Sequence, residues 1–201
     1  MIADGLQDYD LILASTSPRR SQLMEEAGFR FRTVPVDFDE SWPDHLRGKE
    51  IAEFLAAGKS QAWPEEISTR QIVITADTVV WCHDEVLGKP HDDEEAMHFL
   101  RLLSGCRHEV ITAICLRDNA RRHLFSVTTG VTFRKLRDDE ISYYVKNYRP
   151  HDKAGGYAIQ EWIGLRAIKS IEGSYYNVMG LPVSELLDQL LHFTGNKINT
   201  I

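Results

Sequence analysis

The sequence predicts an α/β protein, with helices flanking a mixed β-sheet in two lobes. Apolar runs of strand length alternate along the chain with segments whose apolar residues recur at helical spacing. The 201 residues are enough to bury one core, and 43% apolar and 26% charged side chains are ordinary for a folded protein. Because no stretch has the composition of a linker, we expect residues 1–201 to form a single domain with two lobes.

Net charge and cysteine content exclude several classes of partner and location. Acidic side chains outnumber basic ones by 30 to 23, so no overall positive field draws the chain onto nucleic acid or an anionic membrane. Three cysteines without CxxC spacing argue against a disulfide framework and for a reducing compartment. No apolar run approaches the roughly 18 residues of a membrane helix. We therefore expect a cytoplasmic protein that binds neither nucleic acid nor membrane.

The first strand and helix are predicted by the stretch "DLILASTSPRR". Residues 10–14 form a short apolar run, which is typical of a buried strand. Thr16 or Ser17 is suited to the N-cap of a following helix, Pro18 to its first position, and Gly28 to its end.

The next two elements are a strand and an amphipathic helix. Residues 29–38 alternate apolar and polar side chains, which predicts a strand with one wet face. Residues 49–62 carry apolar side chains at helical spacing, Phe54 and Leu55 among them, and Lys59 falls near the edge of that buried stripe.

The most apolar strand is predicted over residues 71–81, and Asp77 interrupts it. Residues 92–105 then combine acids in the first turn, apolar positions at helical spacing and a closing glycine, as in a capped helix. An acid within so apolar a strand needs a specific reason.

The second half predicts a strand pair and two more helices. Residues 108–136 form strands around an Asp118–Asn119 turn, and helices follow over 138–149 and 181–193. Between the two helices lies a stretch rich in glycine and aromatic residues. We interpret Tyr175 and Tyr176 in that stretch as core packing rather than as a platform for a base.

Common catalytic and nucleotide-binding motifs are absent from the sequence. It contains no GxxxxGK[ST], no GxGxxG after a strand, no HExxH and no GxSxG. The histidines, including His83, His91, His98 and His108, lack ligand spacing and are expected at the surface or behind a site. P-loop nucleotide binding and a histidine zinc site are therefore excluded.

Two adjacent arginines at the predicted helix start point to an anion. Arg19 and Arg20 face the positive end of the helix dipole, which typically costs a few tenths of a kcal/mol. A bound anion reverses that sign. Backbone N–H groups, the hydroxyls of Ser15 and Ser17 and two guanidinium groups together suit a di- or triphosphate. The alternative is that both arginines are solvated residues of the first turn.

Asp77 is the second candidate for chemistry. A carboxylate between apolar strand segments is costly to bury unless a metal ion or a lysine accompanies it. Lys89 follows twelve residues later, after a predicted turn, and can return beside Asp77. Glu40 offers another oxygen ligand, and carboxylates with water suit Mg²⁺ or Mn²⁺ rather than zinc. The alternative is that Asp77 forms a turn or caps a helix.

Five motifs in order resemble those of the Maf-type nucleoside triphosphate pyrophosphatases, from about Leu11 to Phe193. They are "LILASTSPRR", "VDFDES", "ITADTVV" with "VLGKP", "DKAGGYAIQ" and "IEGSYYNVMGLPVSELL". The resemblance implies a two-lobed fold similar to that of inosine triphosphate pyrophosphatases, with the nucleotide in the cleft between lobes. It further implies hydrolysis of a nucleoside triphosphate to the monophosphate and pyrophosphate, a divalent cation (Mg²⁺ or Mn²⁺) and a homodimer.

The same resemblance assigns roles to residues at matching positions. It implies that Asp77 is the proton acceptor, with Lys89 beside it in catalysis, and that Glu40 binds the metal. Asp77 as a metal ligand is an open alternative. The implied phosphate-cleft residues are Ser15, Arg19, Arg20, Lys59 and Lys89.

Within the family, the chain resembles the subgroup that acts on dTTP and UTP. The specificity positions are matched by Arg19 or Arg20, by Thr78 and by Gln160. A primary amide such as that of Gln160 can donate and accept toward the O4/N3 edge that uracil and thymine share. One departure is "GGYAIQEW", where Glu161 stands in place of a glycine in the family's AGAYGIQG motif.

Two alternative functions are compatible with the resemblance. One is an enzyme of the subgroup that acts on 7-methyl-GTP, against which Thr78 and Gln160 argue. The other is a non-catalytic nucleotide sensor that influences cell division, which would not need Asp77, Lys89 and Glu40 together.

Overall fold

The computed structural model describes residues 5–196 and confirms the predicted α/β class. Within that range, none of the helices has the length and apolar character needed to cross a membrane. The strands are β1 (Asp10–Leu13), β2 (Phe31–Thr33), β3 (Gln71–Cys82), β4 (Glu85–Leu87), β5 (Arg107–Arg117), β6 (Arg122–Phe133) and β7 (Ile168–Glu172). The helices are α1 (Pro18–Glu26), α2 (Lys49–Gln61), α3 (Asp93–Leu103), α4 (Asp138–Tyr148), α5 (Trp162–Ala167), α6 (Tyr175–Met179) and α7 (Val183–Phe193).

The strands form one mixed sheet in the order β2-β1-β3-β5-β6-β7, and β4 pairs with β3 outside this path. β1 is parallel to β2 and β3, whereas β3–β5, β5–β6 and β6–β7 are antiparallel. The hairpin predicted around Asp118–Asn119 is therefore confirmed as β5 and β6.

One edge of β3 is left without a strand partner in its middle. β1 pairs with β3 residues 71–74, and β4 pairs with residues 80–82. Residues 75–79 pair only with β5, on the opposite side. Asp77 lies in the centre of this interval, which we call the β3 gap.

Helices cover both faces of the sheet. The alternation of β3 side chains sends Ile72 and Ile74 to one face, where they pack with α1 and α7, and Val79 to the other face, against α2. Beyond the β3 gap, α3, α4 and α5 cover Val80 and the adjoining parts of β5 and β6. The buried residues of α3 and the limits of α2 and α4 agree with the sequence predictions to within one residue.

Three predictions made from the apolar pattern are wrong. The strand predicted over 29–38 contracts to Phe31–Thr33, because β1 offers only three residues for pairing. Phe54 is 40% exposed, since the sheet does not extend beneath that side of α2. Tyr175 and Tyr176 are 39% and 51% exposed rather than packed in the core. Local pattern does not reveal where a neighbouring element ends.

His108 lies in the core rather than at the surface. It is 1% exposed, its Nε2 is 2.8 Å from the hydroxyl of Tyr157, and its Nδ1 has no partner among the residues that the structure describes. Burial, followed by the charge of Arg107, lowers the pKa of His108 to about 4. The folded protein therefore keeps this ring neutral at pH values where the unfolded chain protonates it.

We predict that His108 makes stability fall as the pH is lowered from about 6.5 to about 4, by on the order of 2 kcal/mol. The sign follows because the unfolded state binds a proton in this window that the folded state does not. Urea denaturation across the window measures the slope. His108→Gln, which cannot titrate, should show a shallower slope, whereas equal slopes in both proteins would contradict the prediction.

Candidate active site

A large open cavity of about 1080 Å³ lies at the β3 gap. It is bounded by the start of α1, the loop before α2, the end of α2, β3, the turn after β4 and the segment before α5. All nine residues that the sequence analysis selected line it: Ser15, Arg19, Arg20, Glu40, Lys59, Asp77, Thr78, Lys89 and Gln160. Residues spread over 146 positions of sequence thus meet in one pocket.

Asp77, Lys59, Glu40 and Lys89 form a chain of alternating charges. Lys59 Nζ donates to Asp77 Oδ1 at 2.5 Å and to Glu40 Oε1 at 2.7 Å. Lys89 Nζ donates to Glu40 Oε2 at 2.8 Å. Asp77 and Lys59 are nearly buried, with 11% and 14% of their side chains exposed. Lysine therefore offsets the burial of Asp77, as the sequence suggested.

The lysine beside Asp77 is not the one expected. Lys89 contacts Glu40, and Lys59 takes the place next to Asp77. The reason lies in α2, which packs on the same face of β3 and is tied to it by the Thr75 hydroxyl, a donor to the Ala56 carbonyl. Lys59, one helical turn beyond Ala56, is thereby directed at Asp77.

The two lysines determine the charge state of Glu40. Burial alone would raise the pKa of this carboxyl, but hydrogen bonds from Lys59 and Lys89 lower it to about 2. Glu40 is therefore ionised at neutral pH and holds both lysines at the pocket. A loop residue thus controls where the cations stand.

Arg20 uses most of its N–H groups in hydrogen bonds to the protein itself. It donates from Nε to the Gly180 carbonyl at 2.9 Å and from Nη1 to the Ala76 carbonyl at 2.9 Å. It also donates to Ser15 Oγ at 3.5 Å and to Thr78 Oγ1 at 3.1 Å. A guanidinium has five N–H groups, so a single one on Nη2 is left for a ligand. In the β3 gap, Arg20 thus supplies the hydrogen bond to the Ala76 carbonyl that a neighbouring strand would otherwise donate.

The hydroxyl of Thr78 belongs to a series of hydrogen bonds that all run in one direction, from Arg20 as the first donor. Thr112 donates to the Asn177 carbonyl at 3.1 Å, so Thr112 must accept from Thr78, 2.9 Å away. Thr78 in turn accepts from Arg20. This series of hydrogen bonds fixes the guanidinium in place. Because Thr78 donates its hydroxyl proton to Thr112, that proton is not available to a ligand.

Arg19, unlike Arg20, is held by contacts that are exposed to solvent. Its guanidinium forms an ion pair with Asp152, Nη1 to Oδ2 at 2.8 Å, and the two side chains are 26% and 61% exposed. Lys153 approaches the other oxygen of Asp152 at 2.7 Å. Although burial opposes the effect, the hydrogen bonds from Lys153 and Arg19 lower the pKa of Asp152 to about 2. An incoming anion can compete with Asp152 for Arg19.

Sequence reasoning missed Asp152 and Lys153. Both line the cavity, and Lys153 is 8% exposed. Their signal was present in "DKAGGYAIQ", where an aspartate and a lysine begin the glycine-containing motif. Gln160 from the same motif is exposed in the cavity, and its amide has no hydrogen-bond partner among residues 5–196.

The donor set fits a magnesium or manganese ion that is shared with phosphate. Mg²⁺ sites commonly use one or two carboxylates, with phosphate oxygens and waters as the other ligands. Asp77 Oδ2 accepts no hydrogen bond from any described residue, and Glu40 lies across Lys59 from it. No cluster of three or more metal-ligating side chains occurs in the described part of the chain.

We predict that replacing Arg20 lowers the stability of the protein more than replacing Arg19 does. Arg20→Ala leaves the Ala76 and Gly180 carbonyls without their donor and should lower the free energy of unfolding by about 3 kcal/mol. Arg19→Ala removes a solvent-exposed ion pair and should cost less than about 1 kcal/mol. Urea denaturation of both variants measures the contrast. Equal losses would show that Arg20 is not the structural member of the pair.

Comparison with known proteins gives relatives along nearly the whole chain. A protein named dTTP/UTP pyrophosphatase from Parabacteroides distasonis is 46% identical over 94% of this chain and 99% of its own length. Proteins of the same name from Bacteroides fragilis and Porphyromonas gingivalis are 47% and 44% identical, over 92% and 94% of this chain and 97% of their own lengths. Among solved structures, the Staphylococcus aureus Ham1 protein aligns with a TM-score of 0.42 and 13% identity, over 62% of this chain and 71% of that one.

The family model described as "Maf-like protein" matches residues 10–193. That range includes every strand and helix described above and all nine predicted residues of the cavity. The chain belongs to the family of Maf-like proteins.

Proposed function

We propose that this protein is a pyrophosphatase that hydrolyses dTTP and UTP to the monophosphate and pyrophosphate. The observation that carries the proposal is that the nine residues expected for this activity line one cavity at the β3 gap. Relatives that are 44–47% identical and named dTTP/UTP pyrophosphatase support it. The cavity also has the size of a small-molecule site.

The cations of the cavity bind the triphosphate in this proposal. Lys59, Lys89 and Arg19 have exposed or partly exposed charged ends at the pocket, and Ser15 adds a hydroxyl. Arg20 contributes charge and one N–H while it keeps the gap in shape. Because the chain as a whole has a net charge of −7, attraction of phosphate is confined to this cluster.

Asp77 accepts the proton of the attacking water. Lys59 holds one carboxylate oxygen, which leaves Oδ2 free of hydrogen bonds from the described residues and able to take the proton. A divalent ion held by Glu40 would supply positive charge to the phosphate oxygens, and a role for Asp77 as a second ligand of that ion is the alternative to its role as the base. Lys59 donates to both Asp77 and Glu40, so one ammonium group holds the two carboxylates close together at the cavity.

Gln160 recognises the pyrimidine. Its unpartnered amide can donate to O4 and accept from N3–H of uracil or thymine. Thr78 supports recognition indirectly in this proposal, since its hydroxyl is bonded to Arg20 and Thr112.

The larger organisation is proposed on the same basis. We propose that the cavity is the cleft between two lobes of a single domain, with separate apolar clusters under α1 and α7 and under α3, α4 and α5. A homodimer stays a prediction from the family resemblance, and a cytoplasmic location stays a prediction from the sequence.

We predict that dTTP and UTP are hydrolysed faster than other triphosphates in the presence of Mg²⁺ or Mn²⁺. A panel including CTP, ATP, GTP and 7-methyl-GTP, with monophosphate and pyrophosphate as the measured products, tests this. Release of orthophosphate alone would refute the reaction. Equal kcat/KM on every base, or a preference for 7-methyl-GTP, would refute the specificity.

We predict that Asp77→Asn lowers kcat by at least about 100-fold, because the amide cannot accept the proton. Near-normal unfolding by urea shows that the loss is chemical rather than structural. Asp188→Asn is the matched control, since it makes the same charge change at an exposed position of α7 outside the cavity. Activity that survives in Asp77→Asn would remove Asp77 from its proposed role.

A further inference from the structure

The short segment that carries Gln160 is fastened by side chains of other elements. The Tyr157 hydroxyl is 2.8 Å from His108 Nε2 of β5. The Ala158 N–H donates to the Tyr144 hydroxyl of α4 at 3.1 Å, and that hydroxyl donates to Glu161 Oε2. Residues 157–161, which we call the Gln160 segment, are therefore held on both sides of Gln160.

Tyr144 makes these hydrogen bonds from a fully buried position in the core. It is 0% exposed, and its ring stacks on that of Tyr148 with 5.0 Å between centroids. Burial, reinforced by the carboxylate of Glu161, raises the pKa of the Tyr144 hydroxyl. The hydroxyl therefore keeps its proton and serves both neighbours at once, as acceptor from Ala158 and donor to Glu161.

Glu161 is one of the residues by which this chain departs from the motif of its family. Its side chain is 23% exposed and does not line the cavity. One carboxylate oxygen accepts from Tyr144, and the other is 3.4 Å from Lys153 Nζ. A carboxylate in place of a glycine thus adds a bond between the Gln160 segment and α4.

The following helix presses on the same segment. A Cβ placed on Gly164 would lie 1.7 Å from the Ile159 carbonyl oxygen, so α5 packs directly on the backbone one residue before Gln160. Gln160 itself has no side-chain partner within residues 5–196. The place from which its amide reaches into the cavity therefore depends on the backbone of the segment, which Tyr144 and Glu161 hold together with His108 and α5.

We propose that Tyr144 and Glu161 are positioning residues for base selection, which hold the Gln160 segment so that its amide faces the pyrimidine edge. The proposal rests on the proposed function, because it needs Gln160 to contact the base. Neither residue contacts Asp77, Lys59 or Glu40 among the described residues. Their loss should therefore relax selectivity while kcat for the preferred substrate stays near the wild-type value.

The two residues differ in what else they touch. Through Lys153, Glu161 is connected to Asp152 and so to Arg19 at the phosphate-binding side. Tyr144 has no such connection apart from Glu161. Tyr144→Phe therefore isolates base selection, and Glu161→Gln serves as a milder variant, since its amide oxygen can still accept the Tyr144 hydroxyl.

The test compares kcat/KM for UTP and CTP, which differ in hydrogen bonding at position 4 and N3 of the base. Tyr144→Phe should lower the UTP/CTP ratio by about five- to tenfold, and Glu161→Gln should lower it by less. In a Gln160→Ala background, Tyr144→Phe should cause no further change in the ratio, because the amide through which it acts is gone.

The matched control is Tyr148→Phe. It removes a hydroxyl from the same helix, next to Tyr144, that has no hydrogen-bond partner in the described part of the chain. The ratio should be unchanged in this variant. Urea denaturation reports whether each variant is folded, and if Tyr144→Phe does not fold, the ratio in Glu161→Gln decides.

Two results would overturn the inference while the proposed function stands. One is an unchanged UTP/CTP ratio in folded Tyr144→Phe, even with reduced kcat. The other is the same decrease in the presence and absence of Gln160. A wild-type protein that hydrolyses neither nucleotide, or both equally well, would instead refute the proposed function and the inference with it.

Discussion

The interruption in strand pairing along β3 is the constraint on which the site depends. β1 ends at Leu13, opposite Ile74, and the antiparallel β4 ends at Leu87, opposite Val80, so neither pairs with residues 75–79 and one edge of the most apolar strand opens into a cavity. Unpaired backbone groups at such an edge need partners. Arg20 satisfies the Ala76 carbonyl, and Asp77 projects from the same interval toward α2. The defect in the sheet thus creates the pocket and positions its carboxylate.

Electrostatics then holds the surrounding loops in place. Glu40 lies on a loop without strand or helix, and its two lysines come from α2 and from the turn after β4. Asp152 similarly connects Lys153 with Arg19 of α1. Each carboxylate lies between two cations, so the cations stay close together despite their mutual repulsion. In the proposed function, these assembled cations are the groups that bind the triphosphate.

The side chains at the cavity differ in how many hydrogen bonds they make to the protein itself, and this difference distinguishes structural residues from those available to a ligand. Arg20 and Thr78 donate most of their hydrogen bonds to other groups of the protein. Arg19 is instead held by an exposed ion pair, and the Gln160 amide has no side-chain partner among residues 5–196. The adjacent arginines in "SPRR" are equivalent in sequence, yet they leave the helix in different directions. Arg20 faces the β3 gap, where it is partly buried, whereas Arg19 pairs with Asp152.

The sequence by itself determined the α/β class, the limits of most helices and nine of the residues that line the cavity. The first two follow from local periodicity, and Asp77 is identified by its charge within an apolar strand. Lys59, Thr78 and Gln160 were identified only by the resemblance of their motifs to those of the family. The tertiary structure alone decided that Lys59 rather than Lys89 accompanies Asp77, that Arg20 is structural, and that Tyr144 reaches Glu161. Each of these contacts joins residues at least 17 positions apart, and their distance depends on helix packing and strand ends, about which local pattern contains no information.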